Sequence, residues 1–551
     1  MQPGWLDCLI APFIIHDNIG LVGSQLIYPN GQLQEAGGII WSDGSGLNYG
    51  RMDDPQKPEY NYLRDVDYCS GCSIAIKKAL FDTIGGFDTR FVPAYYEDTD
   101  LAFTVREMGY RVVYQPASKL IHHEGITSGT DINSGIKAYQ EINKINFVNK
   151  WSRQLSLHRK PGDTPDLAKE RIVIGSILFI DAVTPTPDMD SGSVDAFFYL
   201  YILSKLNYKI TFIPDNIQFN QGYTQALQQI GIECIYKPYI KSIEEYISAH
   251  SNKFDYIFIS RVNIAIKYID FIKVYCPQAK IIFNTVDIHY IRQARQAWIS
   301  KSLNLLHIAK KTKKAELKLL RESDISIVIS SSEINHLKKI DPELNLFHIP
   351  LMLDMHQSKT GFANRKDIIF LGGFEHEPNV DAVIYFVQDI WPIVKEKLPD
   401  INFIIIGSKM PKKIQQLHNI NGIIITGYVK ILSTYFDSCK ISIAPLRYGA
   451  GQKGKLARSG SYGVPAVVTP LAAEGMNLEH NKHVLIAKSP ESFAENIIKL
   501  YLDKTLWEKL SINIYEYTKK QFSLEMGKNR LINLTALLQD DTSYQKNTSD
   551  P

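Results

Sequence analysis

The chain has 551 residues, 45% apolar and 22% charged, the ordinary proportions of a folded globular protein, and its length predicts about three domains. With 61 Lys and Arg against 58 Asp and Glu, the formal charge is only +3, which gives no whole-chain signal for nucleic acid or a strongly anionic partner. Six cysteines (Cys8, Cys69, Cys72, Cys234, Cys276 and Cys439) are too few and too scattered for a disulfide framework. No apolar run approaches the ~20 residues of a spanning helix, and the N-terminus lacks the charged-then-apolar pattern of a signal peptide, so the expected setting is cytoplasmic.

Residues 1–150 form the first predicted unit. The opening Gln2-Pro3-Gly4-Trp5-Leu6 reads as a helix start inside a domain rather than the start of one. Short strands punctuated by tyrosine and glycine follow in GLVGSQLIYPNGQLQEAGGIIW, VDYCSGCSIAIKKALFDTIGGFD and FVPAYYEDTDLAFTVREMGYRVVYQPASKLIHHEG. Asp98-Thr99-Asp100 spells a metal-binding Asp-x-Asp, but it sits at a predicted helix start, where Asp98 is equally an N-cap. Cys69-Ser70-Gly71-Cys72 has the spacing of a redox or zinc pair. With no second pair and no helix after the first cysteine, it reads as buried thiols.

Residues 151–170, WSRQLSLHRKPGDTPDLAKE, are polar and proline-bearing without apolar periodicity, and are expected to be a linker. The next domain is expected over 171–352. Its strand-like runs at Ile172–Ile180, Lys209–Ile213, Tyr256–Ser260, Lys280–Asn284 and Ile325–Ile329 leave room for a helix between each, predicting a parallel, doubly wound sheet. Its first crossover opens with a loop whose Gly192 lies at the mouth of a helix over Val194–Lys205. Asp188-Met189-Asp190 in that loop reads as helix capping and acceptor contact rather than a metal site. His289, in Thr285-Val286-Asp287-Ile288-His289, follows the strand IIFN; a histidine at a strand's C-terminal end lies on the ligand-facing rim of such a sheet. Further on, Lys310, Lys311, Lys313, Lys314 and Lys318 make a basic helical face, suited to an anionic membrane surface or simply to solvent.

Residues 353–538 are expected to form a second doubly wound sheet from the runs DIIFLG, NFIIIG, IIITG, ISIAP, AVVT and HVLIA. Two of these runs end in glycine-bearing loops. Gly372-Gly373-Phe374-Glu375-His376 follows the first, and the fourth, stopped by Pro445, is followed by Gly449, Gly451 and Gly454 with Lys453 and Lys455. Glycines that admit backbone N–H groups, the positive end of a following helix and two lysines together suit a diphosphate. The last residues, 539–551, have nothing to bury and are expected to be disordered.

GGFEHEPNVDAVIYF with APLRYGAGQKGK and VTPLAAEGM resembles the donor-binding domain of glycosyltransferase family 4, a group of GT-B enzymes. The resemblance implies an α/β chain whose residues 171–352 and 353–538 form the acceptor and donor domains of a GT-B fold. It also implies a nucleotide sugar held by Gly192, Gly373, His376, Gly449, Gly451, Lys453, Lys455 and Glu474, with His289 catalytic. Where many members carry a pair of glutamates, this chain has Ala450 and Arg458. An arginine cannot accept a hydrogen bond from a ribose hydroxyl but can pair with phosphate, which leaves Glu474 as the nearest carboxylate for sugar or ribose. Residues 1–150 resemble the acceptor-side half of a glycosyltransferase family 2 domain, a GT-A fold. That implies a catalytic pair at Glu97 and Asp98, with Asp98 the general base on the acceptor hydroxyl, and His122 as a metal ligand. The half that carries that family's Asp-x-Asp precedes these motifs and is not in the sequence, so manganese or magnesium is expected only if the GT-A half is completed, and no cofactor for the GT-B half.

The order of the two parts resembles the tandem glycosyltransferases of bacterial surface polysaccharide pathways, such as O-antigen or capsule. The implied function is hexosyl transfer from a nucleotide sugar to a glycan or lipid-linked sugar, with peripheral membrane contact and no nucleic-acid partner. Two alternatives stay open on sequence: a non-catalytic scaffold with degenerate transferase domains, and a GT-B nucleotide-sugar epimerase.

Overall fold

The computed structural model describes residues 3–123, 139–170, 172–189, 191–356, 358–449, 452–474 and 476–546. The chain divides into two compact units, Met1–Leu178 with Asn207–Glu245, and Phe179–Leu206 with Tyr246–Pro551. The expected domain 171–352 therefore contributes residues to both units.

The first unit is built on the strand Ile19–Ile27, buried along its whole length. It pairs in parallel with Arg111–Ile121 and antiparallel with Leu33–Glu35 and Ile74–Ile76. The helix Glu97–Glu107 lays Leu101, Ala102 and Val105 into the same core as Leu21, Val112 and Tyr114. Residues 151–170 are anchored at both ends, although most of 156–167 is exposed. Trp151 and Leu155 pack with Phe91, Phe103 and Phe147, and the Trp151 indole donates to Asp100 Oδ1 at 2.7 Å. Glu170 accepts from the Tyr62 hydroxyl at 2.6 Å and lies 3.3 Å from Lys209, whose ammonium is also 3.2 Å from Glu233. This buried charge cluster joins the strands Tyr208–Pro214 and Glu233–Cys234 to the first 170 residues. Breaking one of its partners would strand an uncompensated charge, so the cluster specifies this packing. The missed signal was that Lys209 and Glu233 are buried and Glu170 is half-buried against them, although charge normally marks a surface.

In the second unit, the strands Tyr256–Ser260, Lys280–Asn284, Ile325–Val328 and Leu346–His348 run parallel in that order. A separate six-stranded parallel sheet has the order Ile423–Gly427, Phe403–Ile406, Ile368–Leu371, Ile441–Ala444, Ala466–Val468, Leu485–Ile486. Its core gathers Phe386, Trp391, Phe403 and Phe493. Strand order reverses between Ile368–Leu371 and Ile441–Ala444, so the loops following those two strands flank the topological switch point, where open α/β sheets bind ligands. Backbone approaches backbone there: a Cβ on Gly407 would overlap the Gly372 carbonyl oxygen, which excludes any larger residue at this place without a shift. At the C-terminus the helix Leu524–Lys546 includes residues 539–546, expected to be disordered; the helical run extends well past the buried Leu538.

Candidate active site

The donor-side residues converge on the switch point. Gly454–Ser461 is a helix with Lys453 at its N-cap, and Lys453 is buried at 8% exposure. The Lys455 ammonium donates to Asn379 Oδ1 at 2.5 Å, while Asn379 Nδ2 donates to the Gly373 carbonyl at 2.7 Å. Asn379, which the motif reading did not single out, thus couples the two glycine loops. Burial lowers the Lys453 ammonium to about 8, against the pull of Glu333, and burial followed by the adjacent Lys453 charge lowers Lys455 to about 7. Two ammonium groups held this low at a helix N-terminus are a place where an anion relieves a cost already present.

The opposite side of the cleft is the end of the strand Lys280–Asn284. Val286 has φ +62, a left-handed conformation costly for a β-branched residue, and this turn carries Asp287 and His289 onto the rim. His289 Nε2 lies 2.9 Å from Asp287 Oδ1, and Arg292 Nε donates to Asp287 Oδ2 at 3.0 Å. Burial by itself would raise the Asp287 carboxyl, but His289 and Arg292 together hold it at about 2. The buried Glu316 accepts from the N–H groups of His289 and Tyr290 at 2.8 and 3.0 Å, fixing the start of the helix His289–Ser300. Burial raises the Glu316 carboxyl to about 7.

One turn further along that helix, Arg295 donates to the Gly449 carbonyl and to Glu474 Oε1, each at 2.7 Å. Glu474, expected to hold sugar or ribose, therefore has one oxygen already engaged, although both side chains are about one-third exposed and such a pair exchanges readily. Gly449 has φ +142, and its carbonyl is turned to Arg295. Tyr290, Ile291, Ala294, Arg295, Glu333, Lys453 and Glu474 are among the residues lining a cavity of about 300 Å3. His376, at the N-cap of the helix Glu377–Tyr385, has its imidazole held below the usual value by its surroundings, then by the charges of Arg292 and Lys455.

The structure thus brings His289, His376, Gly449, Lys453, Lys455 and Glu474 together, with Gly373 tied in through Asn379. Gly451 lies outside the described residues, as do Ala450 and Asp190. Gly192 is in the first turn of the helix Ser191–Lys205. Asp188 accepts from the Tyr428 hydroxyl at 2.8 Å. Asp287, Arg292, Arg295, Glu316 and Asn379 were missed. Asp287 and the arginines one and two turns on from it were visible as a pattern, whereas Glu316 reaches the site only through helix packing.

The first unit keeps its own carboxylates. Tyr95 and Tyr96, at φ +73 and +70, turn the chain into the helix Glu97–Glu107. Asp98 accepts from Gly71 N at 2.8 Å and Thr99 N at 2.6 Å, and burial raises its carboxyl despite these bonds. Glu97 is raised by burial and by Asp98. Asp100 is bound by Trp151 and Lys150, so the Asp98-Thr99-Asp100 triplet does not present two free carboxylates. Cys69 is buried but Cys72 is exposed, with its sulfur 3.4 Å from His122 Nε2, which corrects the reading of both as buried thiols. His122 Nδ1 is 3.0 Å from Gln34 Oε1. Among the described residues no group of three or more His, Cys, Asp or Glu could hold a metal ion; residues 124–138, which follow closely on His122, lie outside the described residues.

Residues 365–503 match the family model described as Glycosyl transferases group 1. That segment contains both glycine loops and the two lysines. Over 138 residues the chain is 28% identical to the O-antigen biosynthesis protein RfbC of Myxococcus xanthus, covering 24% of this chain and 10% of that protein. Over 89 residues it is 30% identical to the N-acetylglucosaminyl-diphospho-decaprenol L-rhamnosyltransferase of Mycobacterium tuberculosis, covering 16% and 29%. The chain spans less than a third of the length of either relative. Among solved structures it is similar to Anabaena HepE in complex with UDP-glucose, with a TM-score of 0.50 and 12% identity, covering 66% of this chain and 99% of that one. With the parallel sheets described above, this likeness gives the fold: α/β, with the Rossmann-like sheets of a GT-B glycosyltransferase.

Both lysines being held low has a pH consequence. A lysine lowered on folding binds fewer protons folded than unfolded, so the folded state gains stability as pH rises from about 7 toward the ordinary lysine value, and the cost of charging both is fully present below about 7. An anion that favours the charged forms must then draw protons in. Titrating UDP at about pH 8.5 in two buffers of different ionisation enthalpy is expected to show net proton uptake, fading toward about pH 6; a buffer-independent heat at the higher pH would contradict it.

Proposed function

We propose that the second unit transfers a sugar from a nucleoside-diphosphate sugar to a glycan or lipid-linked sugar in the assembly of a bacterial surface polysaccharide. The observation that carries this reading is the pair Lys453 and Lys455, both lowered, at a helix N-terminus on the switch point of a segment that matches glycosyl transferases group 1. As the sugar–phosphate bond breaks, negative charge grows on the departing nucleoside diphosphate, and the two ammonium groups with the helix N–H groups stabilise it where water is scarce. His289, fixed by Asp287, faces the sugar from the other side, and Glu474 takes a sugar or ribose hydroxyl once Arg295 releases it. The HepE complex supports a UDP-sugar donor for the second unit, while the names of the Mycobacterium relative and of RfbC support a lipid-linked acceptor and a polysaccharide pathway for the chain as a whole. We read residues 1–150 as the acceptor-side half of a GT-A domain, with Asp98 as its base.

The test is a panel of UDP-, GDP- and TDP-sugars incubated with the 551-residue chain, with and without bacterial lipid extract. Sugar appearing on the lipid with release of nucleoside diphosphate is the expected result. Donor bound without turnover would make the protein a scaffold, and an epimerised sugar formed without acceptor would make it an epimerase.

A further inference from the structure

We propose that a cavity of about 320 Å3 in the first unit binds a small organic anion, a phosphate or carboxylate group carried on a compact apolar body. Its wall sets four cations, Arg64, Arg106, Arg111 and Lys169, against two carboxylates, Asp65 and Asp67. Two of the cations are matched. Arg111 holds Asp65 with two nitrogens, at 2.8 and 2.7 Å, and Lys169 lies 3.0 Å from Asp166. The other two are matched less well. Arg64, only 4% exposed, lies over the rings of Tyr49 and Tyr114 and donates to the neutral Ala36 carbonyl at 2.5 Å. Arg106 covers the Phe103 ring at 4.2 Å and reaches Asp67 at 3.2 Å, and its Nε is buried with no hydrogen-bond partner among the described residues. Asp67 divides its charge, because its other oxygen accepts from Ile40 N at 2.7 Å. His158, 4.0 Å from Asp67, is lowered to about 4 by burial and stays neutral. Glu170, which also acts on Arg64, is taken up by Tyr62 and Lys209.

Positive charge is therefore in excess at this wall, and a buried charge without its opposite is costly until one is supplied. A guanidinium fork with N–H groups to spare is the natural partner of a carboxylate or a phosphate. The rest of the wall includes the apolar Ile39, Val66, Val112 and Ile172, which a bare ion would leave unfilled and a ligand with an apolar body would cover. The cavity is separate from the carboxylate centre of residues 1–150. Asp98 lies in the first turn of the helix Glu97–Glu107 and Arg106 in its last, roughly 12 Å along the axis. Arg111 begins the strand whose other end leads to His122. A ligand held here touches neither Asp98 nor His122, but it grips the far ends of the helix and the strand that carry them. The proposal does not rest on the transferase reading.

The test is calorimetric titration of the 551-residue chain with phenyl phosphate, benzoate, inorganic phosphate and acetate. The chain carries Lys453→Ala, so that the diphosphate site proposed for the second unit contributes little. Phenyl phosphate or benzoate is expected to bind about tenfold or more tightly than the bare ion with the same group, and which of them binds identifies the group as phosphate or carboxylate. Adding Arg106→Gln, which keeps a side chain over Phe103, is expected to weaken that binding by about tenfold or more. Ile172→Trp, at an exposed lining position, leaves every ion pair in place and is expected to weaken it by filling the cavity. That second variant keeps the test decisive if the melting curve shows that Arg106→Gln unfolds the unit. Binding of neither organic anion, bare ions bound as tightly as the organic ones, or parental affinity in the Ile172→Trp chain would overturn the proposal. A failed transferase reading shows separately, as UDP that does not bind the wild-type chain.

Discussion

Alanine at His289 is expected to lower the rate of sugar transfer by about 10²-fold while leaving nucleoside diphosphate affinity nearly unchanged. The asymmetry follows from position. His289 stands on the rim of the opposite sheet from Lys453 and Lys455, with its ring held 2.9 Å from Asp287 and its backbone N–H on Glu316. On the proposed reading it faces the sugar, where charge develops only as the bond breaks, so its loss should fall on turnover. Asp287 keeps Arg292 when the imidazole is gone, and the helix keeps Glu316, so the fold should persist. Separate kcat and KM values decide it: an equal loss in kcat and in affinity would say that His289 only binds.

Lys453→Ala is expected to weaken UDP, GDP or TDP binding by about 1.5 to 3 kcal/mol, roughly 10- to 150-fold, the range for a hydrogen bond to a charged group. Lys453 is buried, so water cannot readily replace it, and on the proposed reading it holds the diphosphate both before and as the bond breaks, so binding and the rate of release should both fall. Removing it also lifts a repulsion from Lys455, whose ammonium should titrate closer to the ordinary lysine value, which sets the lower end of the range. Calorimetry at neutral pH measures the effect, and an unchanged affinity would remove Lys453 from the site.

Much of the second unit was legible because buried parallel strands are nearly continuous apolar runs. Tyr256–Ser260 and Lys280–Asn284 fall where they were expected, and the runs DIIFLG and ISIAP become the two strands at the switch point. The glycine loops were readable for the same reason, as punctuation at strand ends. What stayed hidden depends on contacts far apart in sequence. Glu316 looks like one charge on a basic helix, yet it is buried under the first turn that holds His289. Glu170 and Trp151 sit in a stretch whose polar composition reads as a spacer, and only the meeting with Lys209, Tyr62 and Asp100 explains why they pack inward. The engagement of Glu474 by Arg295 was likewise beyond a motif reading, because it joins residues 179 positions apart.

The measurement that tests the central claim most directly is release of nucleoside diphosphate by the 551-residue chain in EDTA, comparing wild type, Lys453→Ala and Asp98→Asn. Lysines and a helix N-terminus can neutralise a leaving diphosphate without an added ion. The wild type and Asp98→Asn should therefore release it at the same rate, and Lys453→Ala should be strongly impaired. A rate that collapses in EDTA, returns with manganese, is abolished by Asp98→Asn and is untouched by Lys453→Ala would contradict the account and place the chemistry in the first unit.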